Sequence, residues 1–312
     1  MKIHRSRIRS VCALAGFMVA GLAHAGPEGA AVQRGNVTIT QTSPTNWEIH
    51  ASDGSVIHYT GFDIQQTEWV KFIQDNADSR VLNRVFSQNP TEILGRLSAN
   101  GHVYLVNPAG IFIGPNAQID ANGFHAAAGH ISDQDFLAHT EHYTDLKGAV
   151  TNLGVISGAD VTLSDDGASV VALAGRQVTN GALGSLLGRI YVDGEQGWIV
   201  MAAGTDVLIT SPSDRFAVQI EGALAAPGEL KPGELPLQLT NYGTLQANRG
   251  SVGLAAGDTA GIALFQNGTH RVQGSQILVQ GGPDAQVDVA GTLDASSASG
   301  AGGKIDISGT HV

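Results

Sequence analysis

The chain has 312 residues, 41 of them glycine, with 14% charged residues, 5% aromatics and a formal charge of −11. The glycine follows no strict Gly-X-Y period, which excludes collagen, and the acidic balance argues against an electrostatic nucleic-acid binder. The length allows one large domain or two smaller ones around a sizeable core, and the composition reads as all-β with very many turns.

Residues Met1 to Ala25 read as a cleaved secretory leader. Lys2, Arg5, Arg7 and Arg9 form a basic start, Val11 to Leu22 an apolar run too short to span a bilayer comfortably, and Ala23, His24 and Ala25 a small-x-small cleavage site before Gly26. Cleavage removes four of the 17 Lys and Arg and none of the 28 Asp and Glu, so the formal charge moves from −11 to −15. The sole cysteine, Cys12, leaves with the leader, and the exported chain must be stabilised by packing without disulfides.

Val32 to Thr42 alternates apolar and polar residues as a half-buried strand does, and Ser43 to Asn46 turns it. Trp47, Ile49, Val56, Ile57 and Tyr59 continue the pattern around a hairpin-type corner at Asp53-Gly54, so the first quarter reads as a cap closing one end of a β-solenoid. Phe62 to Ile73 and Arg80 to Phe86 lead to Asn89 and Pro90, and Thr91 to Leu97 reads as a short turn. Leu97 to Gly123 then alternates two- to four-residue apolar runs with corners, the sequence form of stacked parallel coils.

Ile131 to Gly148 reads as an excursion from the stack, with Ser132 an N-cap for one or two helical turns. Beyond it, Asn152-Leu153-Gly154 is echoed at Asn241-Tyr242-Gly243 and loosely at Val289-Ala290-Gly291. The runs VVALAG, WIVMAAG, SVGLAAG and KIDISG form a second echo, at irregular spacing. Ala226 to Pro236 and Thr292 to Gly303 read as surface loops.

Ser87 to Asp120, SQNPTEILGRLSANGHVYLVNPAGIFIGPNAQID, resembles the secretion domain of filamentous haemagglutinin-type exoproteins of two-partner secretion systems. The similarity runs from about Asn36 to Gly204 and is dense between Asn46 and Gly129. It implies a right-handed parallel β-helix with an N-terminal β cap and extra-helical excursions. It also implies export across the outer membrane of a Gram-negative bacterium, via the periplasm, by a sixteen-stranded β-barrel transporter whose POTRA domains recognise the chain. The family's Asn-Pro-Asn-Gly turn stands here as Asn107, Pro108, Ala109 and Gly110, and Asn89-Pro90 is the candidate second Asn-Pro element. The domain reading is a leader over 1–25, a secretion domain of cap and first coils over 26–204, and further coils over 205–312 that end uncapped and could self-associate. The expected function is that of a secreted or surface adhesin with a host-cell or surface glycan receptor and no cofactor.

Other chemistry is weighed against this. His125, His130, His139 and His142, with Asp133, Asp135 and Glu141, match no zinc-binding spacing and read as surface residues. Asp160, Asp165 and Asp166 could pair as in a polysaccharide-cleaving β-helix enzyme, but they sit among turn residues. Trp47, Trp69 and Trp198 read as core or cap anchors rather than a glycan platform, and Gly281 to Val289 is too little for a calcium-binding repeat. A cytolysin or a haem-binding exoprotein of the same secretion class is the remaining alternative.

Overall fold

A computed structural model describes residues 26–158, 169–193, 197–210, 217–221, 233–235, 237–248, 250–257, 261–264, 271–273, 276–281, 287–289, 292–295 and 303–308. The leader, Asp160, Asp165 and Asp166, and most of the two proposed loops and of Gly281 to Val289 lie outside the described residues. The fold is a parallel β-helix, as expected.

Its first part comprises β1 (Gly26–Glu28), β2 (Ala31–Arg34), β3 (Val37–Ser43), β4 (Asn46–Ala51), β5 (Ser55–Tyr59), β6 (Gly61–Asp63), β7 (Trp69–Gln74), β8 (Arg80–Val85), β9 (Thr91–Ile93), β10 (Arg96–Val106), β11 (Ile111–Ile113) and β12 (Gln118–Ala127). After α1 (Asp133–Leu137) come β13 (Glu141–Tyr143), β14 (Ala149–Asn152), β15 (Val155–Gly158), β16 (Val170–Gly175), β17 (Gln177–Asn180), β18 (Arg189–Asp193), β19 (Trp198–Ala203), β20 (Asp206–Thr210), β21 (Ala217–Glu221), β22 (Gln238–Asn241), β23 (Thr244–Asn248) and β24 (Ser251–Ala256). The last strands are β25 (Gly261–Leu264), β26 (Arg271–Gln273), β27 (Gln276–Gly281), β28 (Val287–Val289), β29 (Thr292–Asp294) and β30 (Lys304–Ser308).

Three parallel sheets run the length of the stack. The first joins β4, β7, the start of β10 and of β12, then β15, β18, β23, β26 and β29. The second joins β5, β8, the ends of β10 and β12, then β16, β19, β24, β27 and β30. The third joins β9, β11, β14, β17, β22, β25 and β28. Ladders of like residues fill the interior: Val70, Leu97, Ile119, Ile156 and Ile190 on the first sheet, and Val81, Val103, Phe124, Val171 and Ile199 on the second, all inaccessible to solvent.

The cap is a coil wound in reverse. β1 pairs with β6, β2 with β5 and β3 with β4, all antiparallel, so the chain runs round the end of the stack, turns back and retraces its path as the first coil. Gly26 at its start has φ +114 and packs on the Trp47 indole, where a Cβ would come within 2.7 Å.

Three local expectations need correction. Thr91 to Ile93 is a strand, because its backbone finds parallel partners on β11. Asp53-Gly54 closes no hairpin: β4 and β5 belong to different sheets, and Gly54, at φ +68, turns the chain from one to the other. The strands are not all short either, since β10 has 11 residues and β12 has 10. Each passes through a corner made by Ala-Asn-Gly, Ala99-Asn100-Gly101 and Ala121-Asn122-Gly123, and continues into the second sheet with a register shift. Asn100 fixes its corner with two bonds to the Gln74 backbone, at 2.7 and 2.9 Å, and Asn122 donates to the Ala77 carbonyl at 2.9 Å.

The two echoes are coil repeats. VVALAG, WIVMAAG and SVGLAAG stack in register as β16, β19 and β24. The asparagines end the third-sheet strands and form a buried ladder in which Asn152 Nδ2 donates to Asn180 Oδ1 and Asn180 Nδ2 to Asn241 Oδ1, both at 2.8 Å. The separations of 28 and 61 residues differ because the second coil carries the β20–β21 hairpin as an insertion. Replacing Asn180 by Leu strands a donor on Asn152 and leaves Asn241 Oδ1 with only the Gly243 N–H in the core. We expect a loss of about 2–4 kcal/mol in urea unfolding of the purified protein.

Candidate functional site

The Asn107–Gly110 turn leads the chain from the second sheet to the third. Gly110 N–H donates to the Asn107 carbonyl at 2.9 Å, closing a β-turn, and Ala109 N–H donates to Asn107 Oδ1 at 2.9 Å. Asn107 is fully buried, and its Nδ2 donates to the Asn89 carbonyl and to Thr91 Oγ1, both at 3.0 Å. The side chain thereby joins the two Asn-Pro elements on successive coils. Gly110 has φ +123, and a Cβ there would lie 2.9 Å from the Ala149 carbonyl and 3.5 Å from Pro90 Cβ. Ala109 contributes its backbone N–H, while its side chain is only partly covered.

The excursion builds a second set of side chains. Ser132 caps α1 as expected, accepting from Asp135 N–H at 2.9 Å, but the helix has five residues and gives way to β13. β13 pairs antiparallel with β20, which pairs with β21, and this small sheet covers the outer face of the second helix sheet. Ile131, Phe136, Tyr143, Val207 and Ile209 are buried there against Val56, Leu82, Tyr104, Ala172 and Val200. Over β16, β19 and β24 the second sheet is therefore buried on both faces, which is why VVALAG, WIVMAAG and SVGLAAG are continuous apolar runs.

One polar cluster lies inside this contact. Glu141 accepts from Tyr104 Oη at 2.5 Å and from Tyr143 Oη at 2.8 Å; Arg80 Nη1 lies 3.4 Å away and His125 Nδ1 3.4 Å. The Tyr104 and His125 rings stack with centroids 3.9 Å apart. Burial pushes the Glu141 pKa up, but the His125 contact and the two tyrosine bonds outweigh it and hold the carboxyl at about 2. Burial and the adjacent carboxylate raise both phenols well above their ordinary value, keeping them donors. Burial, then His125 and Arg80, lower His102 to about 3, so its ring is neutral.

The four histidines considered together in the sequence are dispersed. His125 is buried, His130 lies 3.8 Å from Asp145, His142 3.7 Å from Asp135, and His139 borders a cleft beside Glu141. His102, which sequence reading passed over, joins His125 in that cleft; the repeated Ala-Asn-Gly corners were the available signal. Nor do the tryptophans make a platform: Trp47 is in the core, Trp69 donates to Ser98 Oγ at 2.8 Å and lies under Arg96, and Trp198 lines the cleft.

A three-sheet parallel β-helix closed by a reverse-wound cap, with an Asn-Pro turn tying its early coils, defines a secretion domain of the two-partner kind. The family model for the TPS secretion domain matches residues 23–311, and the chain belongs to that family. It is 24% identical, with a TM-score of 0.57, to the crystal structure of the HMW1 secretion domain from Haemophilus influenzae, over 91% of this chain and 84% of that one. Two Heme/hemopexin-binding proteins of Haemophilus influenzae, one of them from the strain ATCC 51907, are 42% identical over 93 residues and 40% identical over 90. Those stretches make up 30% and 29% of this chain, but only 10% and 9% of the two relatives.

The Glu141 network sets an acid limit. Its folded pKa of about 2 lies below the ordinary 4.5, so the stabilisation is complete above about pH 4.5 and is lost as pH falls toward 2. Glu141→Gln removes about 2–4 kcal/mol at neutral pH and flattens that acid-side slope, read by denaturant unfolding across pH.

Proposed function

We propose that this chain is the part of a two-partner exoprotein that directs export. After removal of a leader at Ala25–Gly26, the cap and early coils engage the POTRA domains of an outer-membrane β-barrel transporter. The observation that carries this reading is the reverse-wound cap: β2 is exposed along its whole length and β3 along most of its length, so a partner strand can add to the edge. Outside the cell each coil folds on the one before it, and burial of Val, Ile and Leu opposes return. The turn Asn107–Gly110 and Asn89-Pro90 hold the first coils in the shape the transporter reads. The protein then acts as a non-enzymatic surface or secreted adhesin, with a host-cell or surface glycan as receptor.

A second reading is favoured by the two curated relatives: a haem- or haem-carrier-binding exoprotein. It shares the export step and differs only in the cargo recognised afterwards.

Co-expression with the cognate transporter tests the export step. Asn107→Ala combined with Pro108→Ala breaks both the turn and the tie to Asn89, and we expect release to the medium to fall at least about tenfold, with protein retained in the periplasm. Release equal to that of the unchanged chain removes these residues from export.

A further inference from the structure

The cleft between the second helix sheet and the excursion has a volume of about 720 Å³. Its floor is one cross-strand row of outward-facing residues, Arg80, His102, Gly123, Val170 and Trp198, on five successive coils. Gly123 interrupts that row. Its φ is outside the left-handed region, so the backbone does not require glycine; the space does, because a Cβ would sit 1.9 Å from His102 Nδ1. The missing side chain lets the His102 ring lean toward His125 on the next row, bringing His102 Nδ1 to 3.5 Å from His125 Nε2.

Hydrogen-bond accounting fixes the proton on His125. Tyr143 gives its hydroxyl hydrogen to Glu141 Oε2, so it offers only lone pairs to His125 Nδ1 at 3.1 Å. Nδ1 therefore carries a hydrogen and faces an oxygen, and in the neutral ring Nε2 presents its lone pair toward His102. Two imidazole nitrogens bound to one Zn²⁺ at about 2.0–2.1 Å and the tetrahedral angle stand roughly 3.4 Å apart, close to the spacing here. The other side of His125 is backed by Glu141 and Tyr143, the carboxylate–histidine support that orients metal ligands and raises their basicity.

We propose that His102 and His125 bind one divalent cation of the zinc class at the floor of this cleft, with its remaining coordination positions open to water or to a donor from an external ligand. Among the described residues no group of three or more His, Cys, Asp or Glu is arranged to hold a metal, so two protein ligands define the site. The ion lies between the two rings that the bare Gly123 lets approach. It selects the His102 tautomer with hydrogen on Nε2, and joins the β10 and β12 coils beneath the excursion.

The test uses the full secreted protein, stripped with a chelator and titrated with Co²⁺ and then Zn²⁺. We expect one equivalent of Co²⁺ with the visible absorption of a tetrahedral centre, its displacement by Zn²⁺, and a rise in melting temperature with Zn²⁺. His102→Ala and His102→Gln should each weaken Zn²⁺ binding at least tenfold and abolish the Co²⁺ spectrum, whereas a His130→Ala, His142→Ala double variant should leave both unchanged. Should both His102 variants fail to fold, the unchanged protein decides through its Co²⁺ spectrum and the Zn²⁺ dependence of its melting temperature. Absence of stoichiometric binding, an octahedral Co²⁺ spectrum, or binding lost only in the surface double variant overturns the proposal.

Discussion

A strand in a parallel stack can satisfy its backbone only through the coils on either side of it, and the first coil has a neighbour on one side only. The chain meets this constraint with its own preceding segment. β3 covers the first strand of the first sheet, β2 that of the second, and β1 pairs with β6 beside the third, so the reversal of the chain at Asn46 sets a cap on the end of the helix. Because the pairing there is antiparallel, the cap begins with no coil beneath it, and once the first coil exists each later one needs only its predecessor. Such a structure spreads its stability over nearest neighbours.

The same ladder explains why the coils tolerate insertions of such different length. Register is held by short contacts inside the stack: the asparagines at 152, 180 and 241, the Ala-Asn-Gly corners, and apolar side chains placed directly over one another. Segments leaving a corner need only return to it. One of them, from Ile131 to Lys147, comes back over the second sheet and is held by Arg84, which bonds both the Ile131 carbonyl and Asp133, and by β13–β20 pairing. A long side chain on an early coil thus fastens an element that follows it by nearly fifty residues.

Legibility in the sequence follows the range of the interactions. The Ser132 helix start, the Asn107 turn and the β3–β4 turn depend on neighbours a few residues away, and the residue types announced them, as the density of corners announced the solenoid class. The apolar repeats were visible too, but not the reason they lack alternation, since the cover on their outer face comes from elsewhere in the chain. The Glu141 cluster draws on residues 80, 104 and 125 on successive coils and on 141 and 143 of the excursion, which meet only once the excursion packs on the stack. Thr91 to Ile93 illustrates the converse: Thr and Ile suit a strand, but three residues become one only because β11 offers a parallel edge.

The Asn107 turn separates what the fold needs from what a partner could read. Asn107 is committed on every polar atom of its side chain, to Ala109 N–H, the Asn89 carbonyl and Thr91 Oγ1, and Gly110 is required by its φ and by the Ala149 carbonyl. Ala109 is bound only through its backbone N–H, so the hydrogen bonds that close the turn do not draw on its side chain. Closure of the turn therefore makes no demand on an amide at position 109.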